Sequence, residues 1–327
     1  MNLVIITDGN NTLGMGHVYQ SLTLADTLKN NSHIPLNINF ITKSDNKICD
    51  LIRSLAYNVE YFSNDDLIFE RLKGSTVERV IFDKLDVSPV LAKKIKEELG
   101  LKLTIFTNLT AANDCADITV MAGMGSNFKN IYRKDKRSGK VEFFGPKYWF
   151  IRPEFEKYQK SEKTDTIKNI LLIFGGSDQA NLSTSVLEEL LKFNDQYTIT
   201  LVLGSAFIYL DELQNSISKY PNSSNRINIV RNLKNVAETM FNNDLTFVSP
   251  GLSFFESLMV GTPVVCFHQN DFQKNAWQND IVTFDKKDIN KISEIIDRKF
   301  FYFADSPFIR AMEIGKGKLE IVNEILS

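Results

Sequence analysis

Four turns in this 327-residue chain bring together residue types that chemistry uses. The first is Gly14-Met15-Gly16-His17, set between an apolar strand-like run and a long helical pattern. Paired glycines let a backbone approach a ligand closely. A helix N-terminus presents unsatisfied N–H groups that suit an anion. His17 stands at that terminus, where the positive helix end disfavours the imidazolium and leaves a neutral imidazole able to act as a base. The alternative is a histidine that caps or packs the helix. The second turn, Gly175-Gly176-Ser177-Asp178, ends an apolar strand and opens a helix that Ser177 or Asn181 could cap. It reads as a phosphate cradle or as a plain β-turn. In the third, Ser249 to Glu256, Gly251, Leu252 and Ser253 bring backbone and hydroxyl donors to another helix start. Glu256 follows Ser253 by three positions, which fits a capping box; the other reading places its carboxylate on the two hydroxyls of a ribose. The fourth, His268 to Ala276, holds Gln269, Asn270, Gln273 and Asn275. Amides donate and accept, which suits sugar hydroxyls, although a polar surface loop with a helix cap has the same composition.

These turns lie between alternating strand and helix patterns. Strands are expected over 3–7, 38–41, 59–62, 79–82, 103–106 and 118–121, with helices over 17–29, 46–55, 65–72 and 89–99. A looser stretch from Met124 ends in the polar run 157–168, which reads as a linker. The alternation then restarts with strands over 169–174, 198–203, 227–230, 245–248 and 263–267 and helices over 181–193, 209–219, 236–242, 254–260 and 289–298. The tail 307–326 reads as one further helix. Such alternation predicts parallel sheets covered on both faces. The expected division is a sugar or acceptor domain over 1–156, a linker over 157–168, a nucleotide-binding domain over 169–304 and a C-terminal helix over 305–327 that packs back on the first domain. Ligands of open α/β sheets bind beyond the carboxyl ends of the strands, so two such sheets facing a central cleft would place all four turns at their chemistry.

Composition narrows the classes. At about 150 residues per domain, the length fits two domains. A net charge of -2 with dispersed Lys and Arg gives no field to attract nucleic acid or an anionic membrane. The basic run Arg133 to Arg137 reads as a solvated loop, as does the surround of His33. Cys49, Cys115 and Cys266 are far apart, without a CxxC pair, which argues against a disulfide framework or a structural zinc and leaves them as small core residues. Asp65 and Asp66 mark a helix start. Asp83 and Asp86 are too few for a metal site, and neither metal nor cofactor is expected. No run approaches the ~18 apolar residues of a membrane span, and the N-terminus lacks a signal-peptide pattern, so the cytoplasm is the expected location. P-loop, GxSxG and GxGxxG patterns are missing from the positions where they would carry function.

The residues resemble a known family. Gly14 to Val18 followed by Leu22-Thr23-Leu24-Ala25 is similar to the opening of the pseudaminic-acid-pathway UDP-sugar hydrolases (PseG) and their spore-coat polysaccharide relatives (SpsG). Phe144-Gly145-Pro146-Lys147-Tyr148, Ile151 to Phe155, and Leu171 to Asp178 with Asn181-Leu182 resemble the same family's middle. Gly251 to Glu256, Gly261-Thr262-Pro263 and Asn275-Ala276 also look like the nucleotide half of MurG transferases. The resemblance implies a GT-B architecture and inverting, metal-independent hydrolysis of a UDP-sugar. It makes His17 the base that activates water, Gly14, Gly16, Asp83, Asn108 and Tyr148 the sugar-side residues, and Gly175, Gly176, Ser177, Gly251, Leu252, Ser253, Glu256, Gln273 and Asn275 the nucleotide side. Three runs depart from the family's usual pattern: Tyr19-Gln20-Ser21 replaces Arg-Cys, Asp83-Lys84-Leu85-Asp86 replaces Asp-His-Tyr-Gly, and Thr107-Asn108-Leu109 replaces an acidic pair. A glycosyltransferase acting on an acceptor or lipid carrier, and a nucleotide-sugar binding module without catalysis, are the competing readings.

Overall fold

The computed structural model describes residues 1–9, 15–123, 129–160, 166–193, 196–231, 233, 235–277 and 281–327. The chain forms two compact units, Met1–Phe150 with Met312–Ser327, and Ile151–Ala311.

The first unit alternates β1 (Asn2–Thr7), α1 (Gly16–Asn31), β2 (Asn37–Thr42), α2 (Asn46–Ser54), β3 (Asn58–Tyr61), α3 (Asp65–Lys73), β4 (Arg79–Asp83), α4 (Pro89–Glu97), β5 (Lys102–Phe106) and β6 (Ile118–Met121), then forms β7 (Ile131–Lys134) and β8 (Val141–Phe144). Local chemistry starts its helices. The side chains of Asp45, Asn64 and Ser88 accept backbone N–H groups at the starts of α2, α3 and α4, satisfying donors that a helix leaves open. The strands form one sheet in the order β3-β2-β1-β4-β5-β6-β8-β7, parallel except for the β7–β8 pair. Val4, Ile6, Val80, Phe82, Leu103 and Ile105 point to one face and bury α3 and α4 against them.

The second unit contains β9 (Asn169–Ile173), α5 (Leu182–Leu191), β10 (Thr198–Leu203), α6 (Leu210–Ser218), β11 (Ile227–Arg231), α7 (Val236–Phe241), β12 (Leu245–Val248), α8 (Leu252–Val260), β13 (Val264–Cys266), α9 (Asp271–Trp277), α10 (Ile292–Asp297) and α11 (Pro307–Ala311). Its five strands are parallel, in the order β11-β10-β9-β12-β13. Of the polar run 157–168, Lys160 donates its backbone N–H to Val260 (2.9 Å) and its amine to the Asn243 carbonyl, and the Lys168 N–H binds Asp244 (2.9 Å).

Three local expectations are corrected. The basic run beginning at Arg133 is not a loop throughout: Arg133 and Lys134 belong to β7, held by the Tyr132–Phe143 ring pair at 5.3 Å and by Lys134 to Glu324 at 3.0 Å. Residues 271–277, within the turn whose composition fits a polar surface loop with a helix cap, form α9. The tail is not one helix. It breaks at Glu313 and Gly315, both with positive φ (47° and 72°), before α12 (Lys318–Leu326) begins. Tertiary bonds impose that break: Gly315 N–H donates to Pro146 O (3.1 Å) and Gly317 N–H to Lys147 O (2.8 Å). Gly145 enables this seat, since its φ of 103° and the adjacent Lys129 carbonyl exclude a side chain. The family-like Phe144–Tyr148 segment is therefore the dock of α12 within the first unit.

Candidate active site

In an open α/β sheet the binding crevice lies where successive connections leave in opposite directions. In the first sheet that point falls between β1 and β4, and in the second between β9 and β12. Of the four turns singled out in the sequence, the first comes after β1, the second after β9, the third after β12 and the fourth after β13, the neighbour of β12.

Gly14 lies outside the described residues. Gly16 opens α1, whose N-cap position, Met15, offers no side-chain acceptor. His17 is the second residue of α1, and its Nδ1 lies 2.8 Å from Oδ1 of Asp83, the last residue of β4. Asp83 is fully buried. It also accepts from Gln20 Nε2 (3.1 Å to each oxygen) and from Ser21 Oγ (3.0 Å). A carboxylate only accepts, so Nδ1 carries the imidazole proton and Nε2 is left as the basic nitrogen. Asp83, taken from the resemblance as a sugar contact, is thus placed behind the histidine as its orienting group. Gln20 and Ser21, two of the positions that depart from the family pattern, are the side chains that hold it. Sequence reasoning passed over both; their i+3 and i+4 spacing from His17 on one helix face was the available signal.

A second pair crosses the same point. Buried Lys84 reaches Asp8 Oδ2 at 2.6 Å and Asp86 Oδ1 at 3.1 Å. Asp8 Oδ1 accepts the Lys43 N–H at 2.7 Å. Burial alone would raise the Asp8 carboxyl, but the Lys84 charge and hydrogen bond outweigh it and hold Asp8 below its ordinary value. Lys84 is likewise pushed down by burial and lifted above its ordinary value by Asp8. The pair thus carries both charges at neutral pH and ties the ends of β1 and β4 together.

Two further sugar-side candidates have their polar groups bonded within the first unit. Asn108 is buried, with Oδ1 accepting the Val87 N–H (3.0 Å) and Nδ2 donating to Thr110 and Asn113 (3.0–3.1 Å), so its amide organises the loop after β5. Tyr148 is buried against Gly317, and its hydroxyl lies 3.3 Å from Glu320 of α12; burial and that carboxylate push its phenol up to about 12.

In the second unit Gly175, Gly176 and Ser177 form the turn after β9. Neither Ser177 nor Asn181 caps α5. Asp178 does so, its two oxygens accepting the N–H groups of Leu182 (2.8 Å) and Ser183 (2.7 Å). Those donors are therefore taken, and an anion at this turn would be left with the glycine backbone. The turn is buttressed by the loop after β10: Ala206 N–H donates to Gly176 O at 3.1 Å, and any Cβ at Gly204 would overlap the Gly176 backbone. That close approach, carried by a glycine four positions after Thr200, was not anticipated.

Helix α8 differs. Its N-cap, Gly251, has no side chain, and no side-chain cap binds its first turn, so the Ser253–Glu256 capping box does not form. Leu252 and Ser253 are half-buried there, and the open N–H groups suit an anion. Glu256 points inward instead and is only 4% exposed. Arg152 contacts its Oε1 twice (3.0 and 3.2 Å), leaving Oε2. Burial pushes the Glu256 carboxyl up, against the lowering effect of Arg152. Gln269 Nε2 bridges Phe174 O (2.7 Å) and Ser249 Oγ (3.0 Å), while Gln273 accepts the Gln269 N–H (2.8 Å) and donates to Pro250 O (3.3 Å). The amides of the fourth turn thus lock the ends of β9, β12 and β13 to one another, and Asn275 is exposed on α9. Among the described residues no three His, Cys, Asp or Glu side chains gather in a way that could hold a metal ion, and no helix is long and apolar enough to cross a membrane.

Comparison with solved structures settles the architecture. The chain superposes on a UDP-GlcNAc 2-epimerase from Neisseria meningitidis, bound to UDP-GlcNAc, with a TM-score of 0.62 at 10% identity over 100% of both chains. It superposes on MurG of Acinetobacter baumannii with a TM-score of 0.59 at 12% identity over 99% of both. The fold is GT-B. In sequence, the chain is 39% identical over 99% of its length to the uncharacterized protein MJ1062 of Methanocaldococcus jannaschii, and spans 66% of that protein. It is 25% identical to the spore coat polysaccharide biosynthesis protein SpsG of Bacillus subtilis, over 84% of this chain and 79% of that one. No family model matches the sequence.

Proposed function

We propose that the chain is a UDP-sugar hydrolase that releases UDP and a free amino or deoxy sugar for surface-polysaccharide or nonulosonic acid synthesis. The observation that carries the reading is the His17–Asp83 pair, which presents Nε2 as a base at the carboxyl edge of the first sheet. In this reading Nε2 takes a proton from water, the water oxygen bonds to the anomeric carbon, and the bond from that carbon to the phosphate oxygen breaks with inversion. The electron pair leaves on UDP. The Gly175–Gly176–Ser177 backbone and the N-terminus of α8, with Leu252 and Ser253, stabilise that charge. The family resemblance assigns Glu256 to the ribose and Gln273 and Asn275 to the nucleotide side; Glu256 itself is turned inward to Arg152. Similarity to SpsG supports a role in polysaccharide synthesis.

The second reading is an inverting glycosyltransferase, favoured by the shared fold with MurG. It uses the same donor residues, with an acceptor hydroxyl replacing water. One experiment separates the two. Purified protein is incubated with a panel of UDP-sugars without acceptor, with and without EDTA, beside His17→Ala. Release of UDP and free sugar from a diacetamido-trideoxy substrate, insensitive to EDTA and lost in His17→Ala, is the expected result. Tight UDP binding without release from any donor would overturn hydrolysis and direct the search to acceptors.

A further inference from the structure

Arg79 is the first residue of β4 and Asp83 the last, and both point to the face of the sheet that α1 covers. Register places Lys102, Thr104, Ile118 and Val141 on that same face at the opposite edge from His17. They border a cavity of about 260 Å³ with Arg79, Asp117, Lys134 and Glu324 in its wall.

Arg79, Lys102 and Lys134 share this wall with Asp117 and Glu324, and Ser327 also lines it. Asp117 is engaged by Lys96 (2.6 Å) and by the Leu103 N–H (2.8 Å). Glu324 is engaged by Lys134 (3.0 Å) and by the Tyr132 hydroxyl (3.1 Å). Each acid thus has its own cation. Arg79 is only 9% exposed, yet its guanidinium has neither an ion pair nor a hydrogen bond among the described residues. Lys102, at the mouth, is likewise without a partner there. A partly buried guanidinium gains from a charged partner; burial depresses Arg79 below its ordinary value despite the fields of Glu78 and Asp117. Five fixed donors in a planar fork match the oxygens of a compact oxyanion.

We infer that this cavity is a binding site for a small phosphate-class oxyanion, gripped by Arg79 with Lys102 at its entrance and separate from the residues proposed for the reaction. It needs no part of the hydrolase reading. The test uses the full chain and inorganic phosphate, titrated at constant ionic strength and followed through backbone amide shifts. Amides of Arg79, Lys102, Thr104 and Asp117 are expected to move together. Arg79→Met should weaken the fitted affinity by about ten-fold or more, the scale of a lost charged hydrogen bond. Lys102→Met, at an exposed position, should weaken it a few-fold and covers the case in which Arg79→Met does not fold. Malonate in a parallel titration separates a phosphoryl group from a carboxylate by which anion binds more tightly. Shifts confined to Gly175–Ser177 and the start of α8, or a fitted affinity unchanged in both variants, would overturn the proposal.

Discussion

His17 and Asp83 come from opposite sides of the point where the first sheet reverses its winding, and their side chains meet at 2.8 Å. One closes the turn after β1 and the other ends β4, 66 residues later. Three donors, from His17, Gln20 and Ser21, converge on a carboxylate with no access to water. In the proposed reading such a group sets the tautomer and angle of the ring.

Asp83→Asn tests that role. An amide in place of the carboxylate can present N–H to Nδ1 and force the proton onto Nε2, which removes the base. Turnover should fall by about 10²–10⁴-fold with little change in KM. A fall in affinity with turnover intact would instead make Asp83 a sugar contact.

Gly204→Ala should disturb a turn it does not belong to. The added methyl meets the Gly176 backbone, so the loop after β10 must retreat and loosen Gly175–Ser177. A loss of about 1–3 kcal/mol is expected in urea unfolding, together with weaker UDP binding by calorimetry. Equal UDP affinity in the variant would uncouple the two loops.

Arg152→Met leaves Glu256 buried without its guanidinium. The cost should be about 3 kcal/mol at neutral pH, as for other broken buried pairs. The pH dependence has a definite sign. Burial raises the Glu256 carboxyl in the folded state, and losing Arg152 raises it further. The folded protein then holds this proton more tightly than the unfolded chain, so the penalty grows as pH rises above the unfolded value and shrinks on acidification to about pH 4. Denaturation midpoints of variant and parent should converge at low pH; a constant gap would show that lost packing, not charge, is responsible.

Tyr148 predicts an alkaline weakness. Its phenol is pushed up to about 12 in the folded protein by burial and Glu320, against about 10 in an unfolded chain. The folded state keeps the proton longer, so the stability it contributes is complete below about pH 10 and is lost as pH rises towards 12. Tyr148→Phe should flatten that part of the stability profile, by at most roughly 3 kcal/mol. An unchanged profile would assign the loss to other groups.

Hydrophobic alternation and the glycine turns marked the α/β modules and the turns between strand ends and helix starts, because strand period and helix starts are local properties. GT-B likeness followed from that order and from family-like motifs. Local pattern could not distinguish partners. The Ser253–Glu256 spacing fits a capping box, yet Glu256 turns inward to Arg152, over a hundred residues away in sequence. Asp178 takes the cap of α5 from Ser177 and Asn181 because the chain there turns through positive φ at Asp178 and Asn181 (47° and 51°). The helical tail breaks because Pro146 and Lys147 offer carbonyls to Gly315 and Gly317. Asp83, read as a sugar contact, became the anchor of His17 once parallel pairing set β4 beside β1. The sequence by itself determined the elements and the chemical types at their ends; which buried charge meets which was decided by strand order, since an ionised group inside a protein must take its partner from whatever the tertiary fold brings within reach.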